Sequence, residues 1–177
     1  MPLLAKTTIG VIGSGTEEHD DLAGEVGSLL AELGVNLLTG GGGGVMTSVS
    51  RAFTGARRTT GICIGVIPCR SEDDRATPKP GYPNRFVELP LFTHLPHSGL
   101  LGKHDLSRNH INVLTCAALV ALPGGAGTVS EVELALEYAK PVAVYAREEA
   151  MVEHFPSAAP RLSRIADLRA FLQAYLR

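Results

Sequence analysis

The sequence predicts an α/β fold, a single doubly wound domain over residues 1–177 around a parallel central sheet. Three observations predict it. Short uncharged runs rich in Val, Ile and Leu recur along the chain, and they show no polar face. Strands of a parallel sheet covered on both sides read this way, whereas half-exposed strands alternate. Segments with apolar residues three and four apart separate the runs, the spacing of amphipathic helices. Glycine clusters close several of the runs, drawing on 20 glycines in 177 residues.

Residues 7–13 (TTIGVIG) form a buried strand that gives way to Gly13-Ser14-Gly15. Residues 20–33 set Leu22, Val26, Leu29, Leu30 and Leu33 on one helical face, and Gly34 suits the C-cap. A second short strand, 35–38, runs into the glycines at 40–44. Val45, Met46, Val49 and Phe53 then fit a helix, with Met46 in a packing position. Residues 60–68 (TGICIGVIP) are a third strand. The stretch 69–85 is charged and holds Pro78, Pro80 and Pro83, so it reads as a surface loop. A fourth strand fits 86–89, and 95–103 reads as loop. A helix over 105–114 precedes a strand at 117–122 and a helix at 128–139, whose C-terminal end Lys140 favours and Pro141 stops. Residues 142–145 form one more strand, and 166–176 close the chain with an amphipathic helix carrying Leu168, Phe171, Leu172 and Tyr175.

Composition narrows the function. Hydrophobic residues make up 45% of the chain, enough for a sizeable core, and the formal net charge is −2. A nucleic-acid binder needs a basic stripe, which is missing here, so neither nucleic acid nor an anionic membrane is an expected partner. No apolar run approaches the roughly 20 residues of a membrane span. The opening MPLLAKTTIG carries a lysine and runs straight into strand-like sequence, which predicts no signal peptide. Cys63, Cys69 and Cys116 make an odd count without a CxxC pair, which fits a reducing, cytoplasmic setting. Cys63 sits within a strand, whereas Cys69 follows one and could be exposed.

Ligands of open parallel sheets bind beyond the carboxyl ends of the strands. Three glycine-rich turns are expected there, each ahead of a helix: Gly13-Ser14-Gly15, Gly40-Gly41-Gly42-Gly43-Gly44, and Pro123-Gly124-Gly125-Ala126-Gly127-Thr128. Helix N-termini offer free N–H groups and partial positive charge, and glycine lets an anion approach the backbone. One such turn is what any tight strand-to-helix connection needs. Three at one sheet edge favour a phosphate. The chain has no GxxxxGK[ST], so ATP hydrolysis of the P-loop type is excluded. Gly13-Ser14-Gly15 continues as Thr16-Glu17-Glu18, and the second strand ends in Thr39-Gly40 without an acid, which disfavours NAD.

The polar residues admit two readings each. Thr128-Val129-Ser130-Glu131 matches a capping box, which would employ both Thr128 and Glu131 at a helix end. Glu131 could instead hold ribose hydroxyls or assist glycosidic cleavage. Arg108 could be a solvated helix residue, or its planar fork could bind phosphate beside Asn109. His94, His97, His104 and His110 follow no established ligand spacing, so no metal is expected. Ser14 lacks the GxSxG context of a serine hydrolase.

Together GVIGSG, GGGGGVM, GVIP and PGGAGTVSE resemble the Lonely-Guy-type proteins, whose hallmark is PGGxGTxxE. Pro123, Gly124, Gly125, Gly127, Thr128 and Glu131 match it, and the likeness spans about residues 8–145. It implies a Rossmann-like fold, a homodimer, and hydrolysis of nucleoside 5′-monophosphates to base and ribose 5-phosphate, with Arg108 and Glu131 catalytic and no cofactor required. Active members read Met-His-x-Arg-Lys ahead of the hallmark; here the segment is Asp105-Leu106-Ser107-Arg108-Asn109. The Arg-Asn pair is similar to a sister branch that includes the algal molybdenum cofactor carrier protein. That likeness implies a phosphorylated ligand, a nucleotide or pterin cofactor, held without turnover.

Overall fold

In a computed structural model describing residues 6–57 and 59–176, seven strands run parallel in one sheet. They are β1 (Thr8–Ile12), β2 (Asn36–Thr39), β3 (Cys63–Ile67), β4 (Leu89–Phe92), β5 (Ala118–Ala121), β6 (Val142–Tyr145) and β7 (Arg161–Leu162). Their spatial order is β4-β3-β2-β1-β5-β6-β7. The chain therefore steps outward one way from β1 and the other way from β5. Between these two strands the order reverses, and the loops leaving them part to opposite faces and open a crevice.

Side-chain alternation builds a core on each face. Ile9 and Val11 of β1, with Ala118 and Val120 of β5, pack under α1 (Asp20–Leu33), α2 (Val45–Thr54) and α5 (Ile165–Gln173). Ile12, Leu119 and Ala121 face the other side, under α3 (Asn109–Thr115) and α4 (Ala126–Glu137). Both faces are buried under helices, which is why the central strands read as unbroken apolar runs. Gly34 caps α1 as its sequence suggests, at φ 69° with its N–H on the Ala31 carbonyl.

The structure corrects several expectations. β4 lies three residues beyond 86–89, and as an edge strand it is largely exposed and tolerates Pro90. α3 begins at Asn109, not at residue 105, and α4 begins at Ala126, two residues before the expected start. The Lys140 ammonium does not serve the end of α4, which stops at Glu137: the residue's backbone N–H donates to the Ala135 carbonyl of α4, but its Nζ donates to the carbonyls of Leu114 and Cys116 at the end of α3. Cys69 is buried with the other two cysteines, its Sγ against the Ser71 carbonyl. β7, only two residues long, has no sequence signature. Met1 to Ala5, the start of the segment that predicts no signal peptide, lie outside the described residues, as do Arg58 and Arg177 of the domain expected over 1–177. No helix among the described residues is long and apolar enough to cross a membrane.

Candidate functional site

A cavity of about 310 Å³ opens at the crevice beyond β1 and β5. Gly13, Ser14 and Gly15 form one rim, and Gly125, Gly127 and Thr128 form the other. The two rims are stitched together where Ser14 N–H donates to the Pro123 carbonyl at 3.0 Å. Arg108, Asn109, Glu131 and Met46 complete the set of expected residues that line it.

The second rim carries the helix end. Gly125 is the N-cap of α4, and no side chain caps it. The first amides of a helix have no partner within it, so those of Ala126 and Gly127 remain available. The expected capping box does not form, because the helix starts at Ala126 and Thr128 already lies in its first turn. Glu131 sits a turn further on, and its Oε1 accepts from Asn112 Nδ2 at 2.8 Å. Burial raises its pKa, while the Asn112 hydrogen bond and the Arg108 charge act in the opposite direction.

Arg108 is not a solvated residue; it is 4% exposed. Its Nη1 donates to the carbonyls of Gly40 and Val66, at the ends of β2 and β3, and its guanidinium lies 5.3 Å from the Tyr82 ring centroid. Nε is buried without a partner. Burial pulls the Arg108 pKa below the usual arginine value, against the pull of Tyr82 and Glu131. A guanidinium holds its proton at any ordinary pH, so the cavity carries a fixed positive charge that, among the described residues, is not hydrogen-bonded to a carboxylate.

The other two glycine turns behave differently. α1 does not start until Asp20, and Ser14 Oγ accepts from the amides of Thr16 and Glu17 to order the intervening loop. The first amide of α2, at Val45, donates to the Ser14 carbonyl at 2.9 Å. The uncapped N-terminus of α4 therefore opens toward the cavity, whereas the first amide of α2 is occupied by Ser14. Gly41, Gly42, Gly43 and Gly44 stand behind its wall, where Asn84 binds the Gly41 and Gly42 carbonyls and Met46 Sδ accepts from Gly42 N–H. Pro123, Gly124 and Ala126 are also outside the lining.

Gly40, the first glycine of the second expected turn, lines the cavity; sequence reasoning missed Thr16, Tyr82, Ser98 and Gly99, which line it too. Tyr82 and Ser98 come from loops whose composition reads only as surface. The histidines are employed elsewhere: His97 meets Glu72 at 3.2 Å, and His110 bonds Tyr138 and the His104 carbonyl. Among the described residues no group of three or more His, Cys, Asp or Glu is arranged to hold a metal.

The sequence model of the SLOG cluster4 family matches residues 6–170. The chain belongs to the SLOG cluster4 family. The match includes every residue of the cavity and agrees with the Lonely-Guy-like reading of PGGAGTVSE. A protein of uncharacterised function from Archaeoglobus fulgidus is 36% identical over 137 residues, 76% of this SLOG chain and 77% of that one. Two solved structures are similar over nearly the whole length. The molybdenum cofactor binding protein of Rippkaea orientalis has 28% identity over 97% of this chain and 98% of that one, with a TM-score of 0.75. The molybdenum cofactor carrier protein of Chlamydomonas reinhardtii has 28% identity over 96% and 98%, with a TM-score of 0.71.

Proposed function

We propose that this SLOG protein binds a small phosphorylated ligand, a nucleoside 5′-monophosphate, with its phosphate at the start of α4. One observation carries the reading: an uncapped helix N-terminus and a buried arginine without a carboxylate hydrogen-bond partner share one cavity. Both favour an anion. The volume, about 310 Å³, sits at the lower end of the roughly 300–1,000 Å³ of small-molecule sites, which favours a mononucleotide over a dinucleotide. In this reading Gly125, Gly127 and Thr128 take the phosphate, the 13–15 rim, Met46 and Asn109 enclose the rest, and no cofactor is required. A homodimer follows from the Lonely-Guy-type resemblance and is checked by light scattering.

Glu131 extends the reading to chemistry. Freed from capping and held by Asn112, its carboxylate lies where it could stabilise an oxocarbenium-like C1′ as the base departs. Water would add to C1′, the C1′–N bond would break, and the base would leave with a proton, giving ribose 5-phosphate. Arg108 would polarise the phosphate or the leaving base.

A second reading, a carrier that holds a phosphorylated pterin such as molybdenum cofactor without turnover, is supported by the two molybdenum cofactor proteins matched over nearly the full chain. Calorimetry with AMP, followed by chromatography of the mixture for adenine, separates the readings. Saturable binding with adenine release that Glu131→Ala abolishes supports hydrolysis; binding without release supports the carrier. Absence of binding by AMP, ribose 5-phosphate and a phosphorylated pterin alike overturns both.

A further inference from the structure

Outside the cavity lining, His154 reaches back to the glycine turn. Its Nε2 lies 2.8 Å from the Gly124 carbonyl oxygen. A carbonyl oxygen only accepts, so Nε2 carries the proton and donates. The residue belongs to the segment between β6 and β7, 30 positions away in sequence. Its ring packs on Phe155 with centroids 4.6 Å apart, and Phe155 is part of the core under α3 and α4. The donor is thus anchored to the body of the domain.

We infer that His154 is a positioning residue that sets the direction of the Gly125 amide in the anion cradle. The peptide between Gly124 and Gly125 is planar and trans, so its C=O and N–H point in opposite directions. With the carbonyl held outward by His154, the Gly125 N–H is turned to the side where Gly125 lines the cavity. Among the described residues that N–H has no acceptor. A peptide between two glycines lacks the Cβ atoms that elsewhere restrict its rotation, so the sequence alone does not fix its plane. Reversal would aim a carbonyl oxygen, not an amide, at the ligand. The His154 hydrogen bond selects the orientation that attracts an anion.

The inference rests on the phosphate reading for its consequence, but its geometric half is measurable without ligand. The experiment compares wild type with His154→Phe, which keeps an aromatic ring on Phe155 without the donor, and His154→Gln, which restores a donor. In the free proteins, the Gly125 amide resonance and its hydrogen exchange are followed by NMR. Ribose 5-phosphate is then titrated by calorimetry. His154→Phe is expected to shift or broaden the Gly125 amide and to weaken ribose 5-phosphate by about 2- to 12-fold, the range of one neutral hydrogen bond. His154→Gln is expected to recover both. An unchanged Gly125 amide in His154→Phe overturns the inference, as does weakened binding with no recovery in His154→Gln. If wild type itself ignores ribose 5-phosphate, the phosphate reading falls, and the free-protein amide alone decides the role of His154.

Discussion

Asn112 on α3 holds the Glu131 carboxylate on α4 through a single 2.8 Å hydrogen bond, while its own Oδ1 is buried without a partner. One amide does not replace the water that burial removes, so the Glu131 pKa rises from its usual 4.5. Between the unfolded and the raised folded values, the native protein holds more protons than the unfolded chain. Stability contributed at this site therefore falls as pH climbs from about 4.5 through the folded value, and the loss is complete above it. Glu131→Gln keeps an acceptor for Asn112 and removes the charge. Its urea midpoint is expected to exceed that of wild type at pH 8 and to match it near pH 4; equal midpoints at pH 8 would contradict this account.

Arg108 ties three elements together at the sheet edge, since its Nη1 reaches carbonyls on the ends of β2 and β3 from the N-cap of α3. Arg108→Met fills similar space but leaves the Gly40 and Val66 carbonyls without that donor. Each buried orphan costs about 1–3 kcal/mol, so with two of them the variant is expected to lose roughly 2–6 kcal/mol in urea unfolding. Arg108→Lys, with its charge and donor retained, is expected to lose less. A loss below 1 kcal/mol for Arg108→Met would mean the carbonyls find other partners.

The parts of this molecule legible in its sequence are those fixed by local pattern. β1, β2, β3, β5 and β6 are apolar on both faces, and α1 and α2 carry a single apolar stripe, so periodicity identifies them. β4 and β7 are edge strands with little to bury, and α4 starts among glycines that carry no helical signal. The glycine rims and the hallmark threonine and glutamate were legible as a candidate site because their spacing is local. The burial of Arg108 was not: its partners, Gly40 and Val66, are 68 and 42 residues away. Tyr82 and Ser98 likewise reach the site only through the folding of the 69–85 and 95–103 loops, and His154 lies in a segment between β6 and β7 that carries no periodic signal.

The cysteines make a simple check on the packing. All three are buried, and desolvation pushes the thiol of Cys63 up to about 11 and that of Cys116 up to about 12. Only the thiolate attacks a disulfide reagent. Native protein at pH 8 is expected to leave Ellman's reagent unreacted over minutes and to release three equivalents in denaturant, matching the three cysteines of the chain. Fast release of even one equivalent from the native state would show a thiol that the packing leaves open.

Gly124 and Gly125 are neighbours with opposite tolerance, and the contrast separates folding from binding. A Cβ on Gly124 would lie 2.2 Å from Thr128 Oγ1 and 2.7 Å from the Ser14 backbone nitrogen, which is pinned to Pro123. One of these atoms is backbone and cannot swing aside. Gly124→Ala is therefore expected to cost about 1–3 kcal/mol, the usual penalty for overpacking. A Cβ on Gly125 meets nothing within 4 Å, and its φ of −91° suits any residue. Gly125→Ala is expected to stay within about 0.5 kcal/mol of wild type, as surface substitutions do. Yet its new methyl stands at the uncapped end of α4, where the phosphate is proposed to sit, so AMP affinity is expected to drop several-fold in a protein of unchanged urea midpoint. Equal AMP affinity in Gly125→Ala and wild type would move the phosphate away from this turn.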